Sequence, residues 1–64
     1  MKPEFFYLAV RACEGREWFD TLSLSTIEEI SRDKTRENAL IIPQWDKANP
    51  VVRIAKVTIV EVIA

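Results

Sequence analysis

Hydrophobic and polar positions along the first third of the chain follow a strand pattern. Residues 4–13 form an aromatic and branched run, residues 16–24 form an alternating one, and Gly15, the only glycine, lies between them. Such runs favour strands, and a glycine between them can take a positive φ without steric cost. The pattern therefore predicts a hairpin of two strands. Strict alternation in the second strand places on one face Trp18, Asp20, Leu22 and Leu24.

The spacing changes from alternating to helical over residues 26–41. Ser25 precedes Glu28 by three positions, which is a capping-box pattern at a helix start. Acidic side chains in the first turn suit the helix dipole, and Pro43 is expected to end the helix. The sequence therefore predicts one helix over 26–41.

The last third of the chain predicts a loop and a strand. Residues 43–50 begin and end with proline and contain turn-forming Asp46 and Asn49, which indicates an ordered loop. Residues 51–63 are rich in Val and Ile that alternate with polar side chains, which is typical of a strand. The alternation slips by one position after Ile59, which suggests a bulge or a strand end with both faces covered.

This element order, ββαβ, predicts a single α+β domain over residues 1–64. The hairpin and the returning helix give a three-stranded antiparallel sheet in the order 2-1-3, with the helix on one face. The other face would carry one of two alternating sets of the first strand: Phe5, Tyr7, Ala9 and Arg11, or Phe6, Leu8, Val10 and Ala12. Both sets begin with apolar residues. An open aromatic face, with Phe5 and Tyr7 as candidates, predicts a dimer or partner surface.

The composition excludes several kinds of chemistry. The chain has 64 residues, a net charge of −1, no histidine and one cysteine. A lone cysteine forms no intrachain disulfide, and Cys13 without histidine makes no zinc site. We therefore expect no catalytic residues, no cofactor and no metal, and expect this small domain to gain stability by oligomerisation. The chain shows no signal-peptide core and no apolar stretch long enough to cross a membrane, which predicts a cytoplasmic location.

Two tryptophans are candidate binding residues. Trp45 lies in the predicted loop and Trp18 follows the predicted turn. Each could fold over the edge of the protein's own core, where an indole buries much apolar area, or anchor a partner. As partner-binding candidates we add Arg16 and Arg53, which could make charge-assisted contacts at the rim.

A small group of basic residues lies on the predicted helix. Arg32, Lys34 and Arg36 could contact a phosphate backbone, but Asp33 and Glu37 balance their charge. Nucleic-acid binding usually needs a basic excess, so mixed surface salt bridges are the other interpretation.

The whole chain resembles the very small orphan accessory proteins encoded in the early regions of temperate tailed bacteriophages. The similarity lies in the opening strand "FFYLAV", the segment "GREWFDTLS" before a short charged helix, and the closing "NPVVRIAKVTIVEV". The resemblance implies an accessory role in infection or lysogeny, often by binding a host protein. It carries over no functional residue.

These observations favour a non-enzymatic protein-interaction module, a phage or prophage accessory factor that binds and modulates a host protein as a homodimer. One alternative is a small dimeric DNA-binding or transcription-modulating protein. A second alternative is a structural subunit of a larger assembly.

Overall fold

The computed structural model describes residues 4–58, and these contain three strands and two helices. Their bounds are β1 Phe5–Cys13, β2 Arg16–Ser25, α1 Glu28–Ile41, α2 Pro43–Ala48 and β3 Val51–Thr58. The remainder of the predicted last strand, residues 59–63 with the slip after Ile59, lies outside the described residues.

The sheet has the predicted topology. β1 pairs with both β2 and β3, each time antiparallel, so that the strand order is β2-β1-β3. With α1 this is an α+β fold whose sheet is open, which confirms the predicted fold class. We call the sheet face beneath the helices the covered face and the other the open face.

The hairpin turn has two residues, because Cys13 pairs directly with Arg16. Gly15 has a φ of 80° and Glu14 has a φ of 51°. Two positive φ values in a two-residue hairpin loop are typical of a type I′ turn. Gly15 thus has the role that the sequence predicts, while Glu14 adopts a left-handed conformation that costs a non-glycine residue about 1–2 kcal/mol.

A bulge in β2 reverses the faces of its second half. Tyr7 pairs with Ser25 and Ala9 pairs with Asp20, so β2 holds three more residues than β1 over this stretch. Because an odd number of extra residues inverts the alternation, Ser25 shares the covered face with Asp20. The predicted grouping of Asp20 with Leu22 and Leu24 is therefore wrong.

Ser23 fills the irregular part of the ladder. Its hydroxyl accepts a hydrogen bond from the N–H of Ala9 at 2.7 Å and donates one to the carbonyl of Asp20 at 2.7 Å. The side chain is fully buried. A serine thus satisfies two backbone groups that the bulge removes from regular pairing.

Helix α1 begins two residues later than the sequence predicts. Its N-cap is Ile27, and no side chain caps it. Ser25 is still part of β2, and its hydroxyl accepts a bond from the N–H of Ile27 at 3.2 Å. The predicted capping box with Glu28 does not form, because strand pairing holds Ser25 in place.

The segment predicted as a loop, 43–50, contains the short helix α2. Pro43 ends α1 as expected but also occupies the first turn of α2, where its fixed φ is favourable and its missing N–H costs nothing. The helix ends at Asn49, whose side chain and backbone N–H both bond to the carbonyl of Trp45 at 3.0 Å. The extra turn fixes the positions of Trp45 and Asp46.

The interior beneath the helices is polar to an unusual degree. Four polar or charged residues are buried there: Arg11, Asp20, Ser23 and Ser31. Since Arg11 faces α2, the alternating set of Phe5 and Tyr7 lies on the covered face. The open face carries the other set, which begins with Phe6, and the candidate assignment of Phe5 and Tyr7 to it is wrong.

Candidate protein-interaction site

Arg11 is the centre of the covered face. Its Nε atom donates to Oδ2 of Asp20 at 2.7 Å, and its Nη1 donates to Oδ1 of Asp46 at 2.9 Å and to the carbonyl of Asn49 at 2.7 Å. The side chain is 0% exposed. One guanidinium therefore joins β1, β2 and the end of α2.

This cluster keeps the guanidinium charged. Burial on its own would lower the pKa of Arg11, but the hydrogen bonds and charges of Asp20 and Asp46 outweigh it, so that the pKa is raised. Both carboxylates are occupied by the arginine.

Trp45 packs against this cluster. The guanidinium of Arg11 lies 4.6 Å from the centre of the Trp45 ring, within cation–π range. The Trp18 ring meets Trp45 edge to face, with centroids 5.7 Å apart and an interplanar angle of 68°. Trp45 is half-buried, so its contacts are those of a lid on the protein's own interior. Partner binding by Trp45 or Trp18 stays a prediction.

The two proposed rim arginines lie in different places. Arg16 is exposed at the start of β2. Arg53 pairs with Val10 in the ladder and reaches across β1 to Glu17, with a shortest distance of 2.7 Å. The Arg53–Glu17 pair therefore crosses the open face over the central strand.

The three basic residues of α1 lie against two different parts of the molecule. Lys34 donates to the carbonyl of Leu24 at 2.8 Å, which directs it toward β2. Arg32 and Arg36 instead line a groove between α1 and β3, and Arg53 lines the same groove. A basic site here would contain Arg32 and Arg36 without Lys34, since the guanidinium of Arg53 is paired with Glu17 on the open face.

The open face carries large apolar side chains. Register places on it Phe6, Leu8, Val10 and Ala12 of β1, Phe19 and Leu24 of β2, and Ala55 and Val57 of β3. Leu8 and Val10 are buried among their neighbours, whereas Phe19 remains 55% exposed and Leu24 40%. Other large apolar side chains are exposed outside this face, most of all Leu40 at 82% on α1. Phe19 and Leu24 are distinguished by lying on one continuous sheet face, which makes that face a candidate interaction surface.

Sequence reasoning missed the Arg11 cluster. In the sequence Arg11 is only a member of one alternating set of the first strand, and Asp46 is only a turn former. One signal was available, since Arg11 is the only charged residue in the strand sequence "FFYLAVRAC". A lone charge in such a run is expected to find a buried partner. Which partner it finds depends on α2, which the sequence did not reveal.

The described residues also limit other kinds of site. Cys13 is a free, half-buried thiol at the end of β1. Over residues 4–58, no three side chains of the metal-binding types gather into a group. In the same range, neither helix has the length and apolar character to cross a membrane.

Comparisons with known proteins leave the family open. The sequence matches no protein-family model, and searches of curated proteins and of solved structures found no significant match.

Proposed function

We propose that this protein is a non-enzymatic, cytoplasmic protein-interaction module that self-associates through the open face of its sheet. The resemblance to early-region phage proteins suggests a host protein as the partner of the assembled module. The observation that carries the proposal is the contrast between a polar interior and an apolar exterior. Phe19 and Leu24 are exposed on the open face while Arg11 and Asp20 are buried.

A second copy of the chain is the occupant that we propose for the open face. A stable interface buries about 800 Å² on each partner. Face-to-face stacking of two open sheets would cover an area of this order and join two apolar layers.

Sedimentation of two variants tests this assignment. Phe19→Ser removes an apolar group from the open face, and we expect it to weaken self-association at least tenfold because a buried phenylalanine contributes several kcal/mol to an interface. Leu40→Ser is the matched control, since Leu40 is 82% exposed on α1. Circular dichroism checks that both variants are folded. Loss of the dimer in Leu40→Ser alone would place the interface on α1. A wild-type protein that sediments as a monomer would contradict the proposed dimer.

One observation favours a second candidate function, a DNA-binding or transcription-modulating dimer. Arg32 and Arg36 line one groove and could contact phosphates. Salt separates the two functions, because a phosphate-driven complex loses affinity steeply as salt rises and an apolar interface does not. A third candidate function is that of a structural subunit. In this case tagged protein, used as bait in a nuclease-treated lysate, should capture only further copies of itself.

A further inference from the structure

The groove between α1 and β3 has a distinctive lining. Its volume is about 220 Å³, and it is bounded by Arg32, Thr35 and Arg36 of α1 and by residues 51–54 of β3. β3 is irregular in this segment, because Val10 pairs with Arg53 and Arg11 pairs with Val51, so that Val52 is an extra residue in β3. The groove runs along this irregular part of the strand edge.

That edge has unused hydrogen-bonding groups. β3 is the last strand of the β2-β1-β3 sheet, and within residues 4–58 it pairs only with β1. An edge strand presents a row of N–H and C=O groups that can pair with an added strand. Extended peptides bind in this way to other proteins, with main-chain bonds for affinity and side-chain contacts for specificity.

The charge of the groove selects the ligand. Arg32 and Arg36 supply its charge from α1, and among residues 4–58 none of its lining residues is acidic. Each of these two arginines has a carboxylate neighbour on α1: Arg32 with Glu28 and Arg36 with Asp33. Both pairs are solvent-exposed, and such pairs are worth only about 0–1 kcal/mol. An incoming carboxylate can therefore replace these neighbours at low cost.

We propose that the groove binds an extended acidic segment of a partner protein, which adds to β3 as a fourth strand. Alternate side chains of the segment would face the arginines, so a sequence that alternates acidic with β-branched residues fits best. A nucleic-acid backbone fits less well. Its phosphates only accept hydrogen bonds, and they would leave the free carbonyls of the β3 edge without donors.

This site is distinct from the open face. The groove lies along the sheet edge, whereas self-association uses the face that carries Phe19. The guanidinium of Arg53 lies on the open face with Glu17, so its charge belongs to that face. Arg36, which is 66% exposed on α1, belongs to the groove alone and is the residue to vary.

The experiment is an NMR titration with three probes. The first is a peptide of about eight residues in which Glu and Val alternate, a length sufficient to span the groove. The second is the same peptide with Lys in place of Glu. The third is single-stranded oligo-dT of similar length. We expect the Glu peptide alone to bind and to slow hydrogen exchange at alternate amides of residues 51–54. Arg36→Glu should weaken this binding at least fivefold. The matched variant Arg16→Glu makes the same charge change outside the groove and should leave the binding unchanged.

Each other outcome overturns the proposal. Tighter binding of oligo-dT, without slowed exchange in β3, would make the groove a phosphate site. Equal binding of the Lys peptide would remove the role of the arginines. No binding by any probe at millimolar concentration would leave the groove without a ligand, and an equal loss in Arg16→Glu would show that only net charge matters. The titration is repeated with Phe19→Ser, in which we expect self-association to be weakened. This variant should bind the Glu peptide as tightly as the wild type does, because Phe19 lies outside the groove.

Discussion

The two faces of the sheet each carry an arginine that bridges strands, and the two arginines have opposite environments. Arg11 on the covered face is 0% exposed and contacts two carboxylates and a backbone carbonyl. Arg53 on the open face is 59% exposed and contacts one exposed glutamate. The same residue type is thus a structural centre on one face and a surface group on the other. Burial, rather than the ion pair itself, decides how much each contributes.

The contrast extends to the surroundings of the two arginines. Two aspartates and the Trp45 ring surround Arg11, while Phe19 and Leu24 are exposed on the face of Arg53. A buried polar network specifies geometry but adds little net stability. An exposed apolar face adds stability only when something covers it. The covered face is therefore held by specific polar contacts, whereas the open face has exposed apolar groups that the proposed self-association would bury.

The largest effect should come from Arg11→Met. The change leaves Asp20 buried without its partner, and breaking a buried pair in this way costs about 3–5 kcal/mol. A chain of this length has a total stability of only about 3–10 kcal/mol. We therefore expect Arg11→Met to be largely unfolded by circular dichroism and in urea titration.

Asp20→Asn added to Arg11→Met controls for the cause of that loss. The double variant removes the unpaired charge and keeps an oxygen that can accept the bond from Leu22 N–H, which Asp20 receives at 3.1 Å. It should be more stable than Arg11→Met alone. A loss below about 1 kcal/mol in the single variant, the range of an exposed pair, would contradict the central role of Arg11.

Two buried serines of the covered face should respond in opposite directions. Ser23→Ala removes a hydroxyl that bonds to two backbone groups, and leaving them unpaired should cost about 1–3 kcal/mol. The hydroxyl of Ser31 is buried and makes no hydrogen bond among the described residues. Ser31→Ala should therefore raise the free energy of unfolding, by up to about 1 kcal/mol with the gain in helix propensity.

Urea titration of these two serine variants under identical conditions measures both changes. Each serine serves as the control for the other, because both are fully buried and lose the same atom. Destabilisation by Ser31→Ala of the same size as by Ser23→Ala would show that burial matters and hydrogen bonding does not.

The strand order of the sheet could be predicted from sequence because it depends on local patterns. Apolar runs, one glycine and a helical segment suffice to give the order β2-β1-β3. The bulge at Ser23 could not be predicted from the sequence, because this change of register depends on the partner strand and leaves no mark in the alternation of β2. It reversed the expected face of Leu24.

The sequence predicted that the sheet has an open apolar face, but it did not predict which residues form that face. An open apolar face followed from the topology, but two alternating sets of β1 were equally apolar. The choice depended on α2, since Asp46 and Trp45 select the face of Arg11. The helix α2 is short, and tertiary contacts rather than propensity stabilise a helix of this length. The groove along β3 likewise joins residues about twenty positions apart, which no local pattern connects.

The smallest effect should come from Arg53→Met in dilute protein. The Arg53–Glu17 pair is exposed, and an exposed pair contributes about 0–1 kcal/mol, which salt reduces further. Self-association through the open face would bury this pair and raise the cost of removing Arg53, because Glu17 would then lose water without gaining a partner. Urea titration of Arg53→Met and of wild type at low and at high protein concentration measures both values. A difference between the two proteins that stays the same at every concentration would mean that the open face, unlike the covered one, remains in water.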